Sequence, residues 1–215
     1  MNSNSIFLTG IGTGVGKTVV SAVLCEAFGC TYWKPIQAGD LNDSDSLKIR
    51  SLSKKTKIVP EKFKLKTAAS PHLAAKIDGI EICEKDLQIP DNQDLLLIEG
   101  AGGLMVPINE KGLIYADVLK LWQVPIVLVS RHYLGSINHT ILSLEYIKNA
   151  NLEIKILIWV GDENKSSEEI IKQRYPELCT YRIPLSQEIN EEFIKSESKK
   201  IDFRLFEMPS ITLRK

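Results

Sequence analysis

The chain has 215 residues, 44% of them hydrophobic and 25% charged, and its 27 Lys and Arg balance its 27 Asp and Glu. This length predicts one domain over residues 1–215, with a core large enough to need no metal or disulfide. Zero net charge argues against binding nucleic acid or an anionic membrane non-specifically, and no apolar run approaches the ~20 residues of a membrane span. The four cysteines form no CxxC pair. We therefore expect free thiols in a reducing cytoplasm, no zinc site and no signal peptide.

Short apolar runs alternate with amphipathic stretches along most of the chain. The predicted strands are continuously apolar, as in a sheet covered by helices on both faces, and span 6–9, 31–34, 95–98, 125–130, 154–160 and 179–183. The predicted helices are one ending near Phe28, then 45–52, 116–121, 137–149 and 166–175, the last capped at Ser166. This alternation predicts an α/β fold of three layers, with a mainly parallel central sheet flanked by helices. Residues 54–90 show no regular pattern, and residues 195–200 are expected to form a charged, solvated tail.

The strongest single motif is the glycine-rich segment TGIGTGVGKT, Thr9 to Thr18, between the first predicted strand and helix. Glycines let backbone N–H groups turn inward and bind an anion at a helix N-terminus. Lys17 would supply a charge for the β- and γ-phosphates, and the Thr18 hydroxyl a magnesium ligand. The strict pattern has glycine where Ile11 stands, so Gly10 or Gly12 would fill that role. A turn without a ligand is the alternative, but Gly-Lys-Thr in this context favours a P-loop NTPase-like fold.

Two acidic residues are candidates for binding the metal ion that accompanies a nucleotide. Glu99 ends the third predicted strand and precedes the glycine-rich segment Gly100 to Gly103. An acid in that place lies on the ligand side of an open parallel sheet. Asp45 begins a predicted helix in a polar Asn-Asp-Ser-Asp run. Taken alone, Glu99 could be an ordinary strand-end acid and Asp45 an N-terminal helix acid.

Five blocks, in order and at compatible spacing, resemble the dethiobiotin synthetase family. They are the loop from Thr9 to Thr18; Lys34-Pro35-Ile36-Gln37-Ala38-Gly39 followed by Ser44-Asp45; Ser70-Pro71-His72; Glu99 to Gly103 with Pro107; and Leu134-Gly135-Ser136-Ile137-Asn138-His139. The resemblance implies an ATP-dependent ligase of biotin biosynthesis. Its reaction joins 7,8-diaminononanoate and carbon dioxide into dethiobiotin, by way of a carbamate and a carbamic–phosphoric anhydride, with release of ADP and phosphate. No side-chain nucleophile is required, because the substrate carries both amines.

The resemblance also implies a role for each matching position. Lys17 and Lys34 would be the catalytic residues, flanking the carbamate and the transferring phosphoryl group. Thr18, Asp45 and Glu99 would hold Mg²⁺. The nucleotide would be bound by Gly14, Val15, Gly16, Lys17, Thr18, Val19, Asp45, Glu99, Gly100, Ala101 and Gly102, and at its base by Asp162, Glu163, Pro184, Leu185, Ser186 and Glu191. The substrate would be bound by Thr13, Lys34 and Ala38 and, at its carboxylate, by Gly135, Ser136, Ile137 and Asn138. In the family those last four belong to the neighbouring subunit, so a homodimer is implied.

The chain departs from the family pattern in three places. Gly12 and Gly14 replace acidic residues of the loop, and Ala38 stands where a hydroxyl contacts the substrate. Loss of that neutral hydrogen bond costs ~1 kcal/mol. Asp162-Glu163 replaces the Asn-Asp pair that reads the adenine edge. Because an ionised carboxylate only accepts hydrogen bonds, the preference between ATP and GTP stays open.

Two other classes of function are compatible with the loop. One is a related P-loop amidoligase or partitioning-type ATPase, although these usually carry a lysine near the first loop glycine, where residues 9–12 read TGIG. The other is a nucleotide-gated binding module that has lost synthesis. Retention of Lys34 beside Lys17 argues against it, since a pure binder has no evident use for a second lysine. His139 is interpreted as a packing or interface residue, and His72 either shapes the diamine pocket or has no function.

Overall fold

The computed structural model describes residues 4–202 and 211–213. Its strands are β1 Ser5–Gly10, β2 Thr31–Trp33, β3 Ile36–Ala38, β4 Lys57–Val59, β5 Phe63–Leu65, β6 Leu96–Glu99, β7 Ile126–Arg131, β8 Glu153–Val160, β9 Thr180–Ile183 and β10 Ile211–Thr212. Its helices are α1 Lys17–Phe28, α2 Asp45–Leu52, α3 Pro71–Ile77, α4 Tyr115–Trp122, α5 Ser136–Asn149, α6 Lys165–Arg174 and α7 Glu191–Ser198. The predicted domain of 1–215 includes residues 1–3, 203–210 and 214–215, which lie outside the described residues, and stays a prediction.

Eight strands form one twisted sheet in the order β10-β8-β7-β1-β6-β2-β4, with β9 also paired to β8. Every pairing in it is parallel except that of β10 with β8. β1 lies between β6 and β7, with Phe7 opposite both Ile98 and Ile126. Neighbouring strands are distant in sequence, so helical crossovers cover both faces. The predicted three-layer fold with a mainly parallel sheet is confirmed.

The core is divided between the two faces of this sheet. Phe7, Ile98 and Leu128 are buried on one face against α4 and α5, while their sequence neighbours Leu8, Leu97 and Val129 are buried on the other against α1. Successive strand residues point to opposite faces, so a strand buried on both sides must be apolar at every position. Burial of the central strands on both faces therefore explains the continuous apolar runs of the sequence. The order of strands also brings the loops after β1 and β6 together at one edge.

Residues 54–90, which show no pattern in the sequence, hold β4, β5 and α3. β4 extends the main sheet beside β2. β3 and β5 form a separate two-stranded parallel sheet, with Ile36 opposite Phe63 and Ala38 opposite Leu65. Each of these strands has three residues, too few to show the period-two alternation by which a strand is predicted.

Two local expectations were wrong. The N-cap of α6 is Asn164, whose side chain accepts from the backbone N–H of Ser167 at 3.1 Å, rather than Ser166. The expected solvated tail at 195–200 is largely helical, because α7 packs against α1 and buries Ile194, Glu197 and Ser198. Lys195, Ser196, Lys199 and Lys200 are the residues of this segment that are exposed to solvent.

The four cysteines are all free, with Cys25 and Cys30 buried and Cys83 and Cys179 half-buried, as the sequence predicts. Within the described part of the chain, no helix is both long and apolar enough to cross a membrane.

Candidate active site

The glycine-rich loop connects β1 to α1 in the way that its motif predicts. Gly16 is the N-cap of α1 with φ 98°, in the left-handed region that favours glycine. A Cβ at Gly16 would lie 3.0 Å from Val160 Cγ1, so the loop packs on the end of β8. A Cβ at Gly10 would lie 2.6 Å from Val15 Cγ2, whereas a Cβ at Gly12 would make only an ordinary contact, 3.9 Å from the Tyr133 hydroxyl oxygen. Gly10 is therefore the glycine that this shifted version of the motif requires.

Lys17, the first residue of α1, folds back over the loop. Its Nζ donates to the Gly12 carbonyl oxygen at 3.2 Å. Burial, reinforced by the charge of Lys34, lowers the pKa of Lys17 despite the opposing pull of Glu99. Among the described residues its one hydrogen-bond acceptor is a carbonyl, so the ammonium is suited to receive an incoming phosphate.

A second lysine joins two acidic residues at the same edge of the sheet. Lys34 follows β2, Asp45 begins α2 and Glu99 ends β6. The Lys34 Nζ lies 3.5 Å from Glu99 Oε1 and donates to the Asp45 carboxylate. Thr18 Oγ1 lies 2.9 Å from Asp45 Oδ1 and 3.3 Å from Glu99 Oε1. The residues predicted to bind the metal are therefore in mutual contact, with Lys34 among them.

The charges of this cluster are stabilised by one another. Glu99 is 0% exposed and Lys34 5% exposed. Burial would lower the pKa of Lys34, but the Glu99 and Asp45 carboxylates outweigh it and raise that pKa above its usual value. Burial would likewise raise the pKa of Asp45, but Lys34 and the Thr18 hydroxyl lower it. Lys34 is thus a fixed cation at neutral pH, and Asp45 a fixed anion.

Two residues that the sequence did not predict hold Glu99 in place. Ser21 Oγ donates to Glu99 Oε2 at 2.6 Å, and Tyr32 OH donates to the same oxygen at 3.1 Å. Burial and the nearby Glu99 charge raise the pKa of Tyr32, so its hydroxyl stays a donor. The only signal for Ser21 in the sequence is its position three residues after Thr18, one turn along the same helix face.

These side chains line an open cavity of about 760 Å³. Of the predicted site residues, it includes Thr13, Gly14, Gly16, Lys17, Thr18, Val19, Lys34, Ala38, Asp45, Glu99, Ala101 and Gly102. Its lining also includes Gln37, which was not predicted. The Gln37 amide donates to the Gly39 carbonyl at 2.9 Å, and its oxygen accepts from the Asp45 N–H at 3.3 Å. Gln37 therefore orients the start of α2 toward the cavity.

Two of the residues predicted to bind the nucleotide, Val15 and Gly100, lie next to the cavity without lining it. Val15 is buried against Gly10, and a Cβ at Gly100 would lie 2.6 Å from Phe7 Cζ. Gly100 also donates its backbone N–H to the Leu8 carbonyl at 2.9 Å. Both residues shape the backbone of the site rather than line the cavity.

The predicted base-binding residues lie in the loops after β8 and β9. Asp162 and Glu163 are exposed after β8, and Pro184, Leu185 and Ser186 follow β9. The Leu185 side chain lies against Gly161, where a Cβ would be 3.4 Å from its Cγ. Glu191 begins α7, and its carboxylate contacts Lys54 and Lys195, each at 2.6 Å. It is outside the cavity lining, so its role in binding the base stays a prediction.

The predicted carboxylate-binding segment starts α5. Gly135 is the N-cap, with φ 100°, and Ser136 is buried. Within one chain, Gly135, Ser136, Ile137 and Asn138 do not line the cavity. His139 is exposed on the same turn, with its Nδ1 2.8 Å from Tyr133 OH.

His72 lies in a smaller cavity of about 310 Å³ beside α3, not in the main one. Its Nδ1 lies 3.1 Å from Ser70 Oγ, and Ser70 itself lines the main cavity.

The parallel sheet, the glycine-rich loop and its lysine define a P-loop nucleotide-binding protein. The AAA domain family model matches residues 4–192. Two solved structures share the fold: a plasmid partition protein from Borrelia burgdorferi, with TM-score 0.59, 10% identity and coverage of 97% of this chain and 100% of that one, and a ParA family ATPase from Chlorobium tepidum, with TM-score 0.54, 12% identity and coverage of 93% and 100%.

Within this class, the chain belongs to the dethiobiotin synthetase family. It is 46% identical over 206 residues to the ATP-dependent dethiobiotin synthetase of Christiangramia forsetii, covering 95% of this chain and 99% of that one. It is 42% identical over 194 residues to the protein of the same name from Brucella ovis, covering 89% and 91%. The predicted family is confirmed.

Proposed function

We propose that this protein forms dethiobiotin from 7,8-diaminononanoate, carbon dioxide and ATP in the cytoplasm. Membership of the family supports the reaction, and the four free thiols agree with a reducing compartment. The observation that carries the proposal is the position of Lys34. A second buried lysine shares the cavity with the P-loop lysine, Lys17, and contacts both carboxylates beside it.

The oxygen ligands of this cavity fit magnesium. Thr18, Asp45 and Glu99 offer one hydroxyl and two carboxylates, the hard oxygen donors that Mg²⁺ prefers. The carboxylates already accommodate the Lys34 cation. No group of three or more His, Cys, Asp or Glu side chains suited to a metal occurs in the described residues. We infer that Thr18, Asp45 and Glu99 would hold Mg²⁺ beside the bound nucleotide, where the ion would supply positive charge against the phosphates.

The first part of the reaction builds an activated carboxyl group on the substrate. One amine of the diamine attacks carbon dioxide and loses a proton to give a carbamate. A carbamate oxygen then takes the γ-phosphoryl group, which leaves ADP and a carbamic–phosphoric anhydride. Lys17 and Lys34 would flank this transfer as fixed cations, where preorganised charge stabilises the transition state without reorganisation.

Ring closure uses the second amine of the same substrate. That amine attacks the carbonyl carbon of the anhydride, the bond to phosphate breaks and the ureido ring of dethiobiotin forms with loss of a proton. The chain's contribution is to position the two reacting groups and to stabilise the departing phosphate. Thr13 and Ala38 line the cavity where the diamine would lie.

The substrate carboxylate would be bound by a second copy of the chain. The backbone N–H groups of Ile137 and Asn138, in the first turn of α5, have no intrahelical partner and suit an anion. Leu134, just before this turn, is 103% exposed, and Tyr133 is exposed beside it. Apolar exposure next to an unused anion site supports a homodimer in which α5 of one protomer completes the cavity of its partner.

The direct test is phosphate release by purified protein with Mg²⁺, bicarbonate and ATP, with and without diaminononanoate. Release that depends on the diamine is expected. Release indifferent to the diamine would contradict the proposal and favour a partitioning-type ATPase or amidoligase. Bound nucleotide with no release would indicate a nucleotide-gated binding module.

A further inference from the structure

An ion pair between a buried carboxylate and a half-buried guanidinium lies behind the predicted base-binding residues, on the face of the sheet opposite α1. Glu168, in the first turn of α6, accepts from the guanidinium of Arg182 on β9. Glu168 is 2% exposed, although it is a charged residue. None of the reaction steps described above uses either side chain.

This ion pair holds both ends of the short segment 161–164, which we term the base loop. Arg182 Nη1 donates to the Gly161 carbonyl at 2.9 Å. The Asn164 backbone N–H donates to Glu168 Oε1 at 3.0 Å. Asp162 and Glu163 lie between these two points. The backbone on each side of the predicted base-reading residues is therefore tied to one salt bridge.

Further contacts fix the ion pair itself. Arg182 is in register with Trp159, two residues before the base loop. His132 stacks on the Trp159 ring at a centroid distance of 5.0 Å, and its Nε2 lies 3.0 Å from Glu168 Oε1. Lys172, one turn further along α6, lies 3.7 Å from the other carboxylate oxygen. The guanidinium fork serves two acceptors at once, an arrangement that a lysine ammonium does not reproduce in the same geometry.

A buried ion pair is a weak contributor to stability, because desolvation offsets its Coulombic attraction, but it specifies geometry where its hydrogen bonds go to backbone. We propose that Glu168 and Arg182 are positioning residues that set the nucleotide-base preference of this protein by fixing the base loop. This inference rests on the proposed function, in that Asp162 or Glu163 must face the base. A carboxylate held in one position accepts a hydrogen bond only from a base whose N–H donor lies at the matching place. If the base loop is loosened, the carboxylate can move to meet the donors of several bases, and the preference among nucleotides falls.

The test compares Glu168→Gln and Arg182→Lys with the unaltered protein. Glutamine keeps the shape of Glu168 but removes its charge. Lysine keeps the charge of Arg182 but loses the paired N–H donors of the guanidinium. Diamine-dependent phosphate release gives kcat and KM with ATP, GTP and CTP, and calorimetry gives the Kd of each nucleotide without diamine. We expect the ratio of affinities between the best and the worst nucleotide to fall about tenfold in both variants, with kcat for the best nucleotide within about twofold.

The matched control is Glu145→Gln, on the neighbouring surface of α5. Glu145 also pairs with an arginine, Arg174, at 2.8 Å, but touches no part of the base loop. Its variant is expected to keep the wild-type nucleotide ratio. A loss in Glu145→Gln equal to that in Glu168→Gln would overturn the inference.

Two further results would also overturn it: an unchanged nucleotide ratio in folded variants, or a uniform loss of kcat with every nucleotide. Should Glu168→Gln fail to fold, Arg182→Lys decides, since it leaves Glu168 its countercharge. Calorimetry separates the proposed reaction from the proposed role of the base loop, because it measures nucleotide binding without any reaction. If the protein binds nucleotides selectively but releases no phosphate in response to diamine, the proposed reaction is wrong, and the binding ratios of the variants still test the base loop.

Discussion

Lys34 is the residue on which the proposed chemistry depends most. Its ammonium meets the carboxylates of Asp45 and Glu99, and burial prevents water from screening these charges. A cation held in this way needs little reorganisation as charge moves onto a phosphoryl group. Lys17 differs, because within the part of the chain that the structure describes its ammonium donates to the Gly12 carbonyl and to no carboxylate. We therefore assign nucleotide binding mainly to Lys17 and transition-state stabilisation mainly to Lys34.

Lys34→Ala is expected to lose at least about a hundredfold in turnover, while the Kd for ATP changes by less than about threefold. The loss arises because the cation acts on charge that develops only in the transition state. Single-turnover phosphate release and calorimetric ATP binding measure the two quantities. Lys57→Ala, which removes an exposed lysine paired with Asp94, is the control and should match the wild type. Equal losses in turnover and in affinity would contradict the assigned role.

Asp162→Asn is expected to raise the preference for ATP over GTP by about tenfold. An amide can donate to a ring nitrogen of adenine as well as accept from its amino group, whereas the carboxylate only accepts. The ratio of kcat/KM values for the two nucleotides measures the effect. Asp91→Asn, an exposed acid in another loop, serves as control. An unchanged ratio would remove Asp162 from the base site.

At the scale of elements, β3 of the small sheet forms one wall of the cavity, with Ile36, Gln37 and Ala38 in its lining. Gly39 follows β3 with φ +72°, and a Cβ there would lie 2.6 Å from the Cα of Ala68, which lines the cavity. The backbones of the two segments approach so closely that only glycine fits. This contact fixes the position of Ala68 relative to Ala38, and both residues line the cavity.

Gly39→Ala is therefore expected to destabilise the protein by ~2 kcal/mol more than Gly79→Ala. Gly79 has nearly the same backbone conformation, φ +69°, but nothing within 4 Å of its Cβ position. Comparing the two variants separates the loss of stability caused by the close contact with Ala68 from the loss caused by placing alanine in a left-handed backbone conformation. Urea unfolding measures the difference in free energy, and the KM for the diamine should rise only in Gly39→Ala. Equal destabilisation would show that the contact relaxes freely.

The elements also show which parts of the structure the sequence can predict. β1, β6, β7 and β8 are evident from apolar runs, because the central parts of strands buried on both faces are almost continuously apolar. The β3–β5 sheet is not evident, since its strands are too short to show a periodicity and they pair across a long connection.

The residues of the site likewise divide into those that the sequence predicts and those that it does not. Lys17 and Thr18 follow from the motif, Glu99 and Asp45 are candidates from their places at a strand end and a helix start, and Lys34 follows from the family's ordered blocks. Ser21 and Tyr32 reach Glu99 only through the packing of α1 and β2, which no local pattern signals.

At the scale of the whole molecule, the net charge of zero conceals an uneven distribution. Lys17 and Lys34 converge on the place proposed for phosphate, and Asp45 and Glu99 lie beside it. The place proposed for the substrate carboxylate is the start of α5, outside the cavity of a single chain. The functional unit that we propose is therefore two chains, each completing the other's site.

Mixing two inactive variants tests this shared site. Lys34→Ala removes the cation to which we assign catalysis, and Asn138→Asp places a negative charge where the substrate carboxylate would bind. After subunit exchange, a mixed dimer contains one site with neither change, so about a quarter of wild-type activity should return in an equal mixture. Each variant alone serves as control. No recovery, with exchange shown by labelled chains, would place the carboxylate site within one chain.

The central claim, synthesis of dethiobiotin, is tested most directly by the fate of carbon supplied as ¹³C-bicarbonate. Purified protein with diaminononanoate, Mg²⁺ and ATP should yield dethiobiotin that carries the label at its ureido carbon, with one phosphate released for each product molecule. Mass spectrometry of the product beside a phosphate assay measures both. Consumption of ATP without labelled dethiobiotin would contradict the account.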